Sequence, residues 1–277
     1  MSSEEPTTSA RHRAFPARLR RAEGASQMTT PSPTLSREDV QRRATEFSWY
    51  HSIDLGHGVT TAGVYDLSPI VHQYGLPESL AGQHVLDVGP GHGFFAFECE
   101  RRGARVATAE LPDWTEHDAS PKLRQAFQDT PDSAAEYHRG ALGFAIQARG
   151  SGVQRHFCNV YDLAPAQVGT YDVVFCASVL LHLTDPLRAL YGMRRVCRRE
   201  VIVSTAVDTD PKRKEESIAL FIGTAEGQVF WVPTLACLEG MLRAAGFTRV
   251  ERVSEFELKS VDGLYNTPHA TLRAFVD

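Results

Sequence analysis

The chain has 277 residues, 42% of them hydrophobic, which is enough to bury a sizeable core. No stretch of eighteen apolar residues occurs, and no apolar run follows the basic start, so neither a membrane span nor a secretory signal is expected and a cytoplasmic location is. The net charge is −5; residues 1–45 hold eight arginines against five acids, so the rest carries −8, which argues against a nucleic-acid-binding body.

The first 35 residues, rich in Ser, Thr, Pro and Arg, read as a disordered leader, with Met28 as an alternative start. A lid segment of two short helices is expected over 36–80. Ser36-Arg37-Glu38-Asp39 forms a capping box for a helix to about Thr45, and Ser68-Pro69 opens the second. Between them lies "WYHSIDLGHGVTTAG" (49–63), whose aromatics, two histidines and three glycines fit neither helix nor strand periodicity.

From residue 81 short apolar runs alternate with helical patterns, predicting a parallel sheet covered on both faces. Strands are expected at Val85–Val88, Arg105–Ala109, His156–Val160, Tyr171–Ala177 and Val201–Ala206. Helices fall at Phe94–Arg102, Pro121–Gln128, Ser133–Ala148, Pro186–Cys197 and Thr234–Ala245, and strands at Val250–Phe256 and Ala270–Val276 close the chain. Cys99, Cys158, Cys176, Cys197 and Cys237 stand singly and read as reduced thiols, four of them in apolar runs.

Val85-Leu86-Asp87-Val88-Gly89-Pro90-Gly91-His92-Gly93-Phe94 reads as strand, glycine loop and helix. Such glycines let backbone approach a ligand at the strand ends. Phe94 stands where a dinucleotide fingerprint needs its third glycine, which disfavours a nicotinamide enzyme. Asp87 instead suits the ammonium of an amino-acid-bearing cofactor. Glu110 ends the next strand seventeen residues beyond Gly93, where a carboxylate can bind both ribose hydroxyls or merely cap a turn. Asn159, at the end of the third strand, offers an amide to an adenine edge.

On these motifs the chain, from Leu86 onward, resembles the class I S-adenosylmethionine-dependent methyltransferases. The resemblance implies an α/β, Rossmann-like fold with a seven-stranded, mostly parallel sheet and a C-terminal reversed hairpin. It implies S-adenosylmethionine as cofactor, held by Trp49, Tyr50, Asp87, Gly89, Gly91, Gly93, Glu110, Leu111, Asn159, Val160 and Ala177. Trp49-Tyr50-His51 with Ile53 and Gly63, Asn159 to Leu163, Val179-Leu180-Leu181-His182 with Asp185-Pro186-Leu187, and Phe230-Trp231-Val232-Pro233 look like the subgroup of tRNA wobble-uridine methyltransferases. That subgroup implies a carboxylated cofactor met by cations before the glycine loop and by a Tyr before the fourth-strand His. Here Leu181 holds the Tyr place, and residues 44–100 contain neither Lys nor Arg. An unpaired buried carboxylate costs several kcal/mol, so ordinary S-adenosylmethionine and a small acceptor are expected instead.

His182 is the candidate base, or else a structural histidine. Tyr50 and His51 are further catalytic candidates in a lid over the cofactor; Trp49 there is sulfonium contact or core filler. His182, Phe221, Phe230 and Trp231 are placed to wall an aromatic or natural-product-like acceptor, although the aromatics would equally pack their own excursion onto the sheet. Asp208 and Asp210 form an acidic turn of the kind that is usually solvated, and no metal is expected.

Overall fold

Parallel strands buried on both faces favour apolar residues, and His84–Val88 has four of its five residues buried, with Val85, Leu86 and Val88 apolar and Asp87 the buried exception. The computed structural model describes residues 35–277 except 113, 130 and 226. In chain order the elements are α1 (Arg37–Ala44), β1 (Trp49–His51), β2 (Gly63–Tyr65), β3 (His84–Val88), α2 (Phe94–Arg101), β4 (Arg105–Glu110), α3 (Pro121–Asp129) and α4 (Pro131–Arg149). There follow β5 (Gln154–Phe157), α5 (Pro165–Val168), β6 (Tyr171–Ala177), α6 (Pro186–Val196), β7 (Cys197–Ala206), β8 (Ala219–Phe221), β9 (Trp231–Pro233), α7 (Leu235–Ala244), β10 (Arg249–Lys259) and β11 (Asn266–Phe275).

The main sheet has seven strands in the order β10-β11-β7-β6-β3-β4-β5. The pairs among β3 to β7 are parallel, while β11 runs antiparallel to β7 and β10 antiparallel to β11. This is the expected Rossmann-like class I methyltransferase architecture with its reversed C-terminal hairpin. Alternate residues face opposite sides. Leu86, Val174 and Val201 join the core that includes Leu190 and Met193 of α6 and Leu238 of α7. Val85, Phe175 and Ile202 join the other, with Phe95 of α2 and Leu142 of α4.

That second core also takes Val40, Trp49, Ile53, Leu55, Tyr74 and Leu80. The expected boundary at residue 80 is therefore absent; residues 35–277 form one compact unit, and the 36–80 segment supplies one wall of the sheet's own core. The first helix follows the capping prediction, Ser36 Oγ accepting from the Asp39 amide at 3.1 Å. The second is only a 3-10 turn, Ser68–Tyr74. Among the described residues no helix is long and apolar enough to cross a membrane. The expected leader lies outside the described residues up to 34.

Three elements differ from expectation. The 49–63 stretch is a short parallel ribbon, in which Trp49 pairs with Gly63 and His51 with Tyr65. A Cβ on Gly63 would collide with the backbone of His51 and Ser52, so close approach, not lid bending, explains that glycine. The third strand of the main sheet is Gln154–Phe157, not 156–160. As the sheet edge it tolerates polar residues, and the apolar run that suggested a later strand instead turns into a 3-10 segment, Val160–Asp162. The antiparallel β8–β9 hairpin was not anticipated.

Candidate active site

At the carboxyl ends of β3, β4 and β6, where the strand order reverses direction, parallel sheets form a ligand crevice. A cleft opens there, with Gly89, Gly91, Glu110, Leu111, Asn159, Val160, Ser178 and His182 among its lining residues. Gly89 and Gly91 adopt φ of 69° and 54°, a region that side chains resist, and this turns the chain tightly above β3. Beneath them Asp87 is 2% exposed and its Oδ2 has no partner. Burial raises its carboxyl to about 7, against a lowering bond from the Ala96 amide, and the Glu110 charge adds to the rise.

Glu110 is held more firmly than its place at a strand end suggests. Its carboxylate accepts from Thr108 Oγ1 at 2.9 Å, from Arg155 Nε at 2.8 Å and from Arg155 Nη2 at 2.6 Å. Arg155 sits on β5 directly beside Thr108. A carboxylate has about four acceptor positions, so this fork orients Glu110 and leaves capacity for a ligand hydroxyl. Asn159 uses Oδ1 to accept the Tyr161 amide at 3.1 Å, which fixes the direction of its side-chain amide.

The opposite end of the cleft is walled by two histidines. His182 donates from Nδ1 to the Gln228 carbonyl at 2.8 Å, and His117 from Nδ1 to the Asp118 carbonyl at 2.6 Å; their ring centroids are 6.3 Å apart. Because a carbonyl only accepts, the neutral tautomer of His182 has Nε2 as its basic nitrogen. Burial lowers the His182 pKa, the Gln228 bond opposes that, and His117 lowers it further. The 114–118 segment is fastened by Asp118, whose Oδ2 accepts from the Tyr161 hydroxyl, from the Thr184 amide at 2.6 Å and from Thr184 Oγ1 at 2.8 Å.

The structure brings Gly89, Gly91, Glu110, Leu111, Asn159, Val160 and His182 into one cleft. Asp87 and Gly93 lie under the same loop without lining the cleft, Gly93 being the residue from which α2 starts; Ala177 ends β6 one residue short of it. Trp49, Tyr50 and His51 do not cover it. Trp49 is 6% exposed, donates Nε1–H to the Ala44 carbonyl at 2.8 Å and meets the His92 ring edge-on at 5.5 Å. Tyr50 donates its amide to His92 Nδ1 at 2.8 Å and packs between His51 and Tyr65. His51 lies behind the glycine loop, its Cε1 3.3 Å from where a Gly91 Cβ would be, and burial pushes its pKa down to about 3. Instead of the expected lid, Trp49 and His51 are buried on the far side of the loop, with Tyr50 exposed between them.

Phe221, Phe230 and Trp231 stand outside the cleft's lining as well. Phe221 is 62% exposed, the Phe230 amide donates to the Leu181 carbonyl at 2.8 Å, and Trp231 Nε1 donates to the Thr184 carbonyl at 3.2 Å. Phe230 and Trp231 thereby brace the His182 turn, and Phe221 meets the Trp231 ring edge-on. Asp208 and Asp210 are both paired with Arg213, at 2.6 and 3.0 Å.

Sequence reasoning missed Glu116, His117, Asp118, Arg139 and Ser178, all of which line the cleft. The polar run Glu116-His117-Asp118 just past a strand end was the available signal. Arg139 also revises the absence of cations: a guanidinium reaches the cleft from α4, beyond the 44–100 segment, and donates to the Leu111 carbonyl at 3.0 Å.

A reversed-hairpin sheet, a glycine loop over its first strand and an oriented acid after its second together define a class I, S-adenosylmethionine-dependent methyltransferase domain. The methyltransferase-domain family matches residues 61–252, and the chain belongs to it. In structure it is similar to the N-terminal domain of EvdMO1, crystallised in the presence of SAH and D-fucose, with TM-score 0.62 and 19% identity over 90% of this chain and 100% of that one. In sequence it is 24% identical over 182 residues to a tRNA U34 carboxymethyltransferase of Desulforapulum autotrophicum, covering 64% of this chain and 48% of that protein. It is 36% identical over 107 residues to a ubiquinone biosynthesis O-methyltransferase of Albidiferax ferrireducens, covering 39% and 34%. The chain thus matches half or less of the length of these curated relatives.

Proposed function

We propose that the protein transfers a methyl group from S-adenosylmethionine to a hydroxyl of a small, aromatic or natural-product-like acceptor. The observation that carries the reading is His182, which lines the cleft with Nδ1 tied to the Gln228 carbonyl and Nε2 left as a base. An oxygen acceptor must lose a proton to become a strong nucleophile, whereas a neutral amine needs no such partner. The −8 charge outside residues 1–45 and the name of the O-methyltransferase relatives support a small acceptor over a polyanion.

The residues fit the cofactor: Glu110 for a ribose hydroxyl, Asn159 for the adenine edge, and Gly89 and Gly91 for close backbone approach, with the unpartnered Asp87 Oδ2 buried beneath that loop. Bound S-adenosylmethionine supplies an electrophilic methyl group on a sulfonium. His182 Nε2 takes the acceptor's hydroxyl proton, and the Asp118-fastened segment limits water at the site. Incubating the protein with labelled S-adenosylmethionine and a metabolite extract should yield methyl ethers, lost in His182→Ala. Binding without transfer to any extract would leave a silent binding protein in place of the enzyme.

A second reading, wobble uridine of tRNA with a carboxylated cofactor, is favoured by the 182-residue likeness to a tRNA U34 carboxymethyltransferase and by Arg139 in the cleft. Mass analysis of co-purified cofactor separates the two: a carboxylated species would overturn the small-acceptor reading.

A further inference from the structure

Ser178 lines the cleft just after β6 with φ of 54°, a left-handed conformation that serine adopts at a cost; among the described non-glycine residues only His57 shares it. Its amide donates to the Ser204 carbonyl at 2.8 Å, which holds the backbone in that conformation. The neighbouring Val179 packs on the first glycine of the loop so closely that a Cβ on Gly89 would lie 2.5 Å from Val179 Cγ2. Ser178 therefore stands between the glycine loop and His182.

The Ser178 hydroxyl is 3.1 Å from Nε2 of His269, a residue 91 positions later on β11 and 3% exposed. The other ring nitrogen of His269 is 3.0 Å from the Thr267 carbonyl. A carbonyl cannot donate, so Nδ1 carries the proton and Nε2 accepts. Burial lowers the His269 pKa, which keeps this neutral tautomer at pH 7. It follows that Ser178 gives its hydroxyl hydrogen to His269, and both Oγ lone pairs are left as acceptors. Donating to an imidazole polarises the hydroxyl and strengthens it as an acceptor.

We propose that His269 is a positioning residue for the methyl-donor site: by taking the Ser178 proton it fixes Ser178 Oγ as a hydrogen-bond acceptor for the ammonium group of the cofactor. This rests on the reading that S-adenosylmethionine occupies the cleft. The geometry favours that group because adenosine is assigned to Glu110 and Asn159 and the methyl end to His182, so the amino-acid arm is what remains beside the glycine loop. A polarised neutral oxygen suits a cationic N–H donor there. The hairpin that closes the sheet would thereby contribute to cofactor selection as well as to the core.

The test compares two probes by calorimetry on the full chain: S-adenosylhomocysteine, which has the ammonium, and 5′-methylthioadenosine, which lacks the amino-acid arm. His269→Asn keeps a donor for Thr267 but cannot reach Ser178; His269→Gln keeps an acceptor near the Nε2 position. His269→Asn and Ser178→Ala should each weaken S-adenosylhomocysteine about 5- to 10-fold, the double variant should lose no more than either alone, and His269→Gln should restore most of the affinity. Binding of 5′-methylthioadenosine should stay within about twofold of the parent in all of them, which a merely structural role for His269 does not predict. Equal losses for both probes, or additive losses in the double variant, would overturn the proposal. If the parent binds neither probe, the assignment of the cleft itself fails, and this inference with it.

Discussion

The glycine loop has two flanks of similar composition and opposite character. Behind it, Trp49, Tyr50 and His51 are rings packed on rings, with the Trp49 indole bonded to the Ala44 carbonyl. In front, His117, Asp118 and His182 line an open cleft, His117 bonded to the adjoining Asp118 carbonyl, His182 to the Gln228 carbonyl and Asp118 to the Thr184 hydroxyl. Aromatic and histidine density therefore does not distinguish core from site. The partners do: behind the loop Trp49 Nε1 and the Tyr50 amide are bonded to Ala44 and His92 and His51 is shut in with its Nδ1 unbonded, whereas in front His182 has Nδ1 tied to Gln228 and Nε2 left as a base beside the cleft.

The comparison breaks first at His182. His182→Ala should reduce kcat roughly 100- to 10,000-fold, the range of an oriented base, and leave Tm near that of the parent. In the parent, activity should hold as pH falls to the ordinary histidine value and decline only below about 6.5, because burial lowers the His182 pKa and the base works unprotonated. An acid limb centred above 6.5, or one that persists in His182→Ala, would assign the base elsewhere.

Trp49→Ala probes the rear flank and should cost about 3–5 kcal/mol in denaturant unfolding, the usual range for an emptied aromatic core site. The folded fraction should keep its kcat within about threefold, since the indole touches no part of the cleft. A collapse of kcat with unchanged stability would make the rear wall part of the site.

Asp87 lies between the flanks. Its folded pKa, about 7, exceeds the ordinary carboxylate value of 3.8, so its carboxyl contributes stability at low pH that is lost as pH rises from about 4 through 7. Asp87→Asn should therefore stabilise the cofactor-free protein by about 2–4 kcal/mol at pH 8 and by almost nothing at pH 4, while weakening cofactor binding. Unfolding curves at the two pH values check the sign.

The smallest effect is expected at the fastening of the front cover. Asp118→Ala removes the acceptor of three bonds at a partly exposed position; it should speed amide exchange over residues 114–120 and raise the KM for cofactor by about 5- to 10-fold. Unchanged exchange would mean the segment is held by something other than Asp118.

Much of the fold was legible because β3, β4, β6 and β7 are apolar runs ending in short, chemically marked loops, and Asp87, Glu110 and Asn159 follow from counting strand ends. The edge strand β5 was misplaced because its residues, Gln154-Arg155-His156-Phe157, are polar, and Arg155 declares its purpose only when β4 places Glu110 beside it. The parallel ribbon depends on an encounter of Gly63 with the His51 backbone that no local pattern announces. The front cover was missed because Glu116-His117-Asp118 reads as an ordinary loop until Thr184 and Tyr161 are brought to it. Ser178 and His269 meet across 91 residues, through the antiparallel register of β11 on β7.

The central claim is that the methyl donor lies in the cleft in front of the glycine loop, with its ribose on Glu110. Calorimetric titration of S-adenosylmethionine into the parent and into Glu110→Ala tests it most directly. Losing a ribose hydrogen bond to a charged carboxylate should weaken binding by roughly 10- to 100-fold. Equal affinity in the two proteins would contradict the account.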